Sequence, residues 1–195
     1  RGSATSYVDL NFQNGAQLRR NNKIKIYNTF ITGYPTGLYI DSQKGSAKAN
    51  ALAGDLVTKN VVIAGTASHG TGGFGGGNTN IYGLGVAVSD VEQLAKSSTS
   101  VSILIGTDSP TTWFKAIAGN KVLTTTANTG ISSSLWAVSG RPTFTLTAGG
   151  SESLIGTALP TLTGTTATDY VGAFKDTDWT ATWAEFAPNT VLYLK

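Results

Sequence analysis

Cysteine and methionine are absent from this 195-residue chain, and histidine occurs once, at His69. Without cysteine there is no disulfide framework, no thiolate chemistry and no Cys-ligated metal. A single histidine cannot build a multi-His zinc site, and a Ser–His–Asp triad would rest wholly on that one residue. Charge is sparse at 13%, with a formal net of +3. Arg19, Arg20, Lys23 and Lys25 form one basic cluster, and no RNA-type motif is interleaved with it. No nucleic-acid partner is expected from such a pattern, and a solvated strand face is its simplest reading. No apolar run reaches the ~18 residues of a membrane span. The chain opens Arg1-Gly2-Ser3, which predicts a processed product, a cloned fragment or a tag remnant, with any targeting segment removed or never included.

What is present is a mixture of 40% hydrophobic residues with 24 glycines and much Thr, Ser and Ala. That composition excludes disorder and a helical bundle, and suits short strands joined by many turns. Tyr7–Phe12 alternates apolar and polar residues, as does Lys23–Ile31, where Ile24 and Ile26 are expected on one face. Leu38–Ile40 starts another strand. Val57–Gly65 repeats the theme of Asn, a β-branched run and Gly, with residues 43–55 read as an insertion. Short strands with Asn and Gly at their corners are the pattern of a parallel β-helix. Ser89 and Glu92 form a capping box that predicts a short helix over 89–96. Val101–Ile105 reads as a buried strand. Ser109, Pro110 and Gly119 bracket a second helix as cap, first residue and stop.

Residues 66–80 read as a flexible loop. They contain Gly70-Thr-Gly-Gly-Phe-Gly75, a formal GxGxxG, but no helix opens from it, so nucleotide binding is not expected. Near the end, Trp179, Trp183 and Phe186 fall at i, i+4 and i+7, with Asp178 as N-cap and Pro188 as stop. The spacing predicts a helical aromatic cap that buries an open end of the strands. A buried Trp183 would make Trp183→Ala cost roughly 3–5 kcal/mol. The domain reading is a β-solenoid body over 1–164 and a C-terminal aromatic cap over 165–195.

Trp113-Phe-Lys, Asn120-Lys-Val, Ala148–Ala158, Tyr170-Val-Gly-Ala-Phe174 and Asp178-Trp-Thr-Ala-Thr-Trp183-Ala-Glu-Phe-Ala-Pro188 together resemble the C-terminal region of secreted or surface-exposed Bacteroidota proteins of the right-handed parallel β-helix type. The resemblance covers residues 15–65 loosely and 105–190 better. Ser151 is followed by Glu152 where the family has Pro. The resemblance implies an all-β, right-handed parallel β-helix with short helices, an extracellular or cell-surface location, and no transferable catalytic residue. It also implies that the solenoid begins upstream, so the expected partner is the upstream part of the same protein or another subunit of a surface assembly.

Three functions follow as expectations. The first is a structural, adhesive or glycan-binding module, with Tyr34, Tyr39, Tyr82, Lys23 and Lys25 as candidate glycan contacts and Trp113 and Trp136 assigned to the core. The second is a fragment of a polysaccharide lyase or glycoside hydrolase, in which Asp41 and the neighbouring Lys23 and Lys25 would supply acid and base. The third is an ice- or crystal-binding solenoid, for which Thr143-Phe-Thr145-Leu-Thr147 is one suitable run. No cofactor is expected. Asp176 and Asp178 could bind Ca²⁺, but the EF-hand ladder is absent and Asp178 already has a capping role.

Overall fold

The computed structural model describes residues 14–32, 34, 36–42, 45–64, 91–92, 105–123, 129–131, 141–146, 163–166, 168 and 170–186. The expected strand at Tyr7–Phe12, His69 with its glycine-rich loop, Tyr82 and Trp136 lie outside them. The described part is strand-rich with few helices and no closed barrel. In chain order it contains β1 (Asn14–Arg19), β2 (Lys25–Thr32), β3 (Thr36–Asp41), α1 (Ala47–Ala53), β4 (Val57–Ala64), β5 (Val91–Glu92), α2 (Pro110–Ala116) and β6 (Lys121–Leu123).

Strands are dealt alternately to two parallel sheets, ordered β1-β3-β5 and β2-β4-β6. Asn14 pairs with Thr36 and Arg19 with Asp41 in the first. Lys25 pairs with Val57 and Thr32 with Ala64 in the second. Parallel neighbours cannot be joined by a hairpin, so each return to a sheet passes through the other one. The middle strands are the most buried. Leu38, Tyr39, Ile40 and Asp41 of β3 and Val61–Ala64 of β4 are all nearly inaccessible, as expected for parallel strands covered on both faces. One apolar cluster draws Leu18, Leu38 and Ile40 from the first sheet and Ile31, Val61 and Ile63 from the second. Ala47 and Ala51 of α1, Phe114 of α2, and Leu56 and Ile105 complete it.

Asn28 and Asn60 explain a switch of alternation within the second sheet. Both have left-handed backbones, with φ of 47° and 53°, a conformation that Asn tolerates better than most residues. They lie between the pairs Tyr27↔Lys59 and Thr29↔Val61. Ile26 packs against the core before this point and Ile31 belongs to it afterwards, although their positions differ in parity. The Asn60 amide donates to Asn28 Oδ1 at 3.3 Å, so the two left-handed corners stack. Ile24, expected on the same face as Ile26, lies before β2 and is exposed.

Two helical expectations change. Residues 43–55, read as an insertion, contain α1, an alanine-rich turn pair stopped by Gly54 in the left-handed region at φ 75°. Val91 and Glu92 are not helical. They pair with Leu38 and Tyr39 as a third parallel strand, so completing the sheet outweighs the local capping box. The second helix does form. The Ser109 hydroxyl accepts from the Thr112 amide at 3.1 Å, Pro110 is its first residue, and it ends at Ala116 ahead of the left-handed Gly119. Of the expected strand Val101–Ile105, residues 101–104 lie outside the described ones; Ile105 is buried and bridges Asp108.

Candidate binding site

Residues 179–186 do not form the expected helix. The Asp178 side chain does cap: its Oδ1 accepts from the Thr180 amide at 2.9 Å and the Thr180 hydroxyl at 2.6 Å. The turns that follow are mostly of the i−3 type, from Ala181 to Asp178 and from Trp183 to Thr180. Only Ala184 reaches back four residues, to Thr180. A segment this short gains little from helix propagation, and Thr180 and Thr182 are poor propagators.

The aromatic side chains are not buried either. Trp179 is 54% exposed, Trp183 67% and Phe186 41%. The expectation of a buried cap is therefore corrected: the rings stack on one another at the surface. Phe144 and Phe174 stack at 4.8 Å and Phe174 and Trp179 at 5.4 Å, nearly parallel in both cases. Trp183 follows Trp179 at 5.6 Å with a 35° tilt, and Phe186 lies on Phe144 at 5.3 Å. The order along the column is Phe186, Phe144, Phe174, Trp179, Trp183. All spacings fall in the range of favourable offset or tilted ring pairs.

Arg141 closes the Phe186 end. Its guanidinium carbon stands 5.0 Å from the centroid of the Phe186 ring. Its Nε and one terminal nitrogen both donate to Asp178 Oδ2, at 2.9 and 2.8 Å. The same terminal nitrogen donates to Thr180 Oγ1 at 2.7 Å, and the other to the Ala184 carbonyl at 2.9 Å. The planar fork of arginine suits this simultaneous engagement. The Asp178 carboxyl is held below the ordinary aspartate value, first by the Thr180 hydroxyl; partial burial opposes this, and Arg141 adds to the lowering.

The two tryptophans are oriented by their own N–H groups. Trp179 donates to the Ala173 carbonyl at 2.9 Å and Trp183 to the Trp179 carbonyl at 3.2 Å. Their polar edges point into the chain, and the outer face of Trp183 ends the column. The segment is anchored to β2, an outer strand of its sheet among the described residues. The Gly172 amide donates to the Asn28 carbonyl at 2.8 Å, and the Asn28 side chain donates to Thr168 at 3.1 Å. A cleft of about 510 Å³ runs between Asn28–Phe30 and the rings Phe144 and Phe174.

The sequence-derived contacts do not meet at this place. Tyr39 is buried in the middle of β3 and cannot contact a surface ligand. Tyr34 is half-buried and packs against the core, as does Trp113. Lys23 is exposed and paired with Asp55 at 2.8 Å, and Lys25 is exposed on β2. The acid–base pair imagined for a lyase is not assembled. Asp41 is nearly buried and meets Arg19 at 2.7 Å and Gln17 at 3.0 Å, while Lys23 is turned to Asp55. Of the Thr143–Thr147 run, Thr147 lies outside the described residues; Phe144 is held in the ring column and Leu146 bridges Ile131. Among the described residues, no three His, Cys, Asp or Glu side chains gather as a metal site, and no helix is long and apolar enough to cross a membrane.

Sequence reasoning missed Phe144, Phe174 and Arg141. One signal was available for Arg141, the sole charged residue between Lys121 and Glu152. Compared with known proteins, the chain matches no family model, no curated protein and no solved structure.

Proposed function

We propose that this chain is a non-catalytic, carbohydrate-binding module of a secreted or surface-exposed bacterial protein, built as a parallel β-helix and working within a larger surface assembly. Three features support the solenoid: strands alternating between two parallel sheets, in-register pairing, and left-handed asparagines stacked at equivalent positions. The observation that carries the binding role is the open face of Trp183. Soluble chains rarely expose large apolar rings in a group without a use for them. Here both indoles are fixed by backbone hydrogen bonds, so little side-chain freedom is lost when a ligand stacks. The hydrolytic and lyase alternatives gain no support, since Asp41 is already held by Arg19 and Gln17.

Affinity gel electrophoresis and calorimetry against a panel of soluble polysaccharides test the proposal. Retardation should appear with the native chain and disappear in Trp183→Ala. Because Trp183 is mostly exposed, that substitution should change stability by no more than about 1 kcal/mol. A native chain that binds no polysaccharide, or a variant that binds as well as the parent, would sink the proposal.

A further inference from the structure

The polar groups nearest the ring column already have partners inside the chain. The Trp179 and Trp183 N–H groups donate to carbonyls of their own segment. Arg141 is taken up by Asp178, Thr180 and Ala184. What the column offers outward is therefore a π-face with few hydrogen-bond donors. Such a face carries negative charge at its centre and attracts C–H groups of slight positive charge. The local charge points the same way. In the segments that carry the rings, 141–146 and 170–186, Asp176, Asp178 and Glu185 outnumber Lys175 and Arg141, although the chain as a whole carries a net +3. The basic residues Arg19, Lys23 and Lys25 belong to β1, β2 and the turn between them, and two of them are matched by Asp41 and Asp55.

Resting on the carbohydrate reading above, we infer that the Trp183 face selects a neutral pyranose ring whose hydroxyls and linkages are equatorial, and discriminates against uronate- or sulfate-bearing glycans. Equatorial substitution leaves axial C–H groups on both faces of the sugar, which match a bare ring face. Among the described residues, a carboxylate or sulfate brought to the same place meets an arginine, Arg141, already engaged by Asp178, Thr180 and Ala184, and more acidic than basic side chains in the segments that carry the rings. Recognition is by stacking, so it is insensitive to salt, whereas binding of a polyanion would weaken steeply as salt rises.

The test is a calorimetric and NMR titration of the full chain. The ligands are neutral β-1,4-linked gluco-, xylo- and N-acetylglucosamine oligosaccharides, set against oligogalacturonate and chondroitin sulfate fragments, at low and high salt. Neutral ligands should bind with a Kd that changes by less than about twofold with salt, shift the Trp183 indole signals, and lose binding in Trp183→Ala while Trp183→Phe keeps part of it. Asp176→Asn with Glu185→Gln should leave neutral affinity within about twofold, because surface charges contribute little to stacking. Salt-sensitive binding of the anionic ligands at Trp183, tighter than that of any neutral one, would overturn the selectivity and leave the carbohydrate reading standing. No glycan of either class at Trp183 removes both.

Discussion

Asn120 shows how much one side chain can hold together. It lies just before β6 and is almost fully buried. Its carbonyl accepts from the Val61 amide at 3.0 Å, and its amide donates to the Thr58 hydroxyl at 2.9 Å and the Phe114 carbonyl at 3.0 Å. One amide thus ties β4 to the end of α2. Asn120→Ala should destabilise the chain by roughly 2–4 kcal/mol, because it strands buried backbone groups as well as removing bonds; thermal or urea unfolding checks this. Asp178 gives a pH signature. Its folded value is depressed, so its contribution is present above the ordinary aspartate range and is lost as pH falls below it. Tryptophan emission should stay constant down to that range and change beneath it. Asp178→Asn should show the altered emission at neutral pH. These residue roles were only partly legible beforehand. Asp178 as a cap could be read from its neighbours, because capping is local. Asn120 could not, because its partners lie as far as 62 positions away.

At the scale of elements, legibility followed the range of the forces involved. Strands β2, β3 and β4 and helix α2 were visible in alternation, turn residues and capping. Of the helix read over 89–96, the two described residues, Val91 and Glu92, are instead a strand, because parallel pairing with β3 decides them. The helical reading of 179–186 failed because its rings pack on others from outside the segment, Phe186 on the distant Phe144 and Trp179 on Phe174. The spacing of Trp179, Trp183 and Phe186 therefore marked rings that do associate, but in an exposed column and not as the buried face of a helix. Docking of this segment on β2 depends on Gly172. Its φ is 94°, and a Cβ there would stand 2.9 Å from the Phe30 ring. Gly172→Ala should loosen the segment at a cost of roughly 1–3 kcal/mol, combining backbone strain with overpacking. The expected result is a shift in tryptophan emission with little change in the strand signal of circular dichroism.

For the molecule as a whole, the division of strands between two sheets ranks their stability. Strands β3 and β4 are central in their sheets and buried on both sides, whereas β1 and β2 are outer strands among the described residues. Amide hydrogen exchange should be slowest in Leu38–Ile40 and Val61–Ile63 and faster in β1 and in residues 176–186. Equal protection across these regions would contradict the ranking. The ring column has an optical consequence as well. Two indoles 5.6 Å apart with a fixed tilt are close enough for their electronic transitions to couple, which produces a paired positive and negative band in the circular dichroism of aromatic groups. That couplet exists only while Trp179 and Trp183 keep their mutual orientation, so the chain carries an intrinsic, label-free reporter of the state of its own surface.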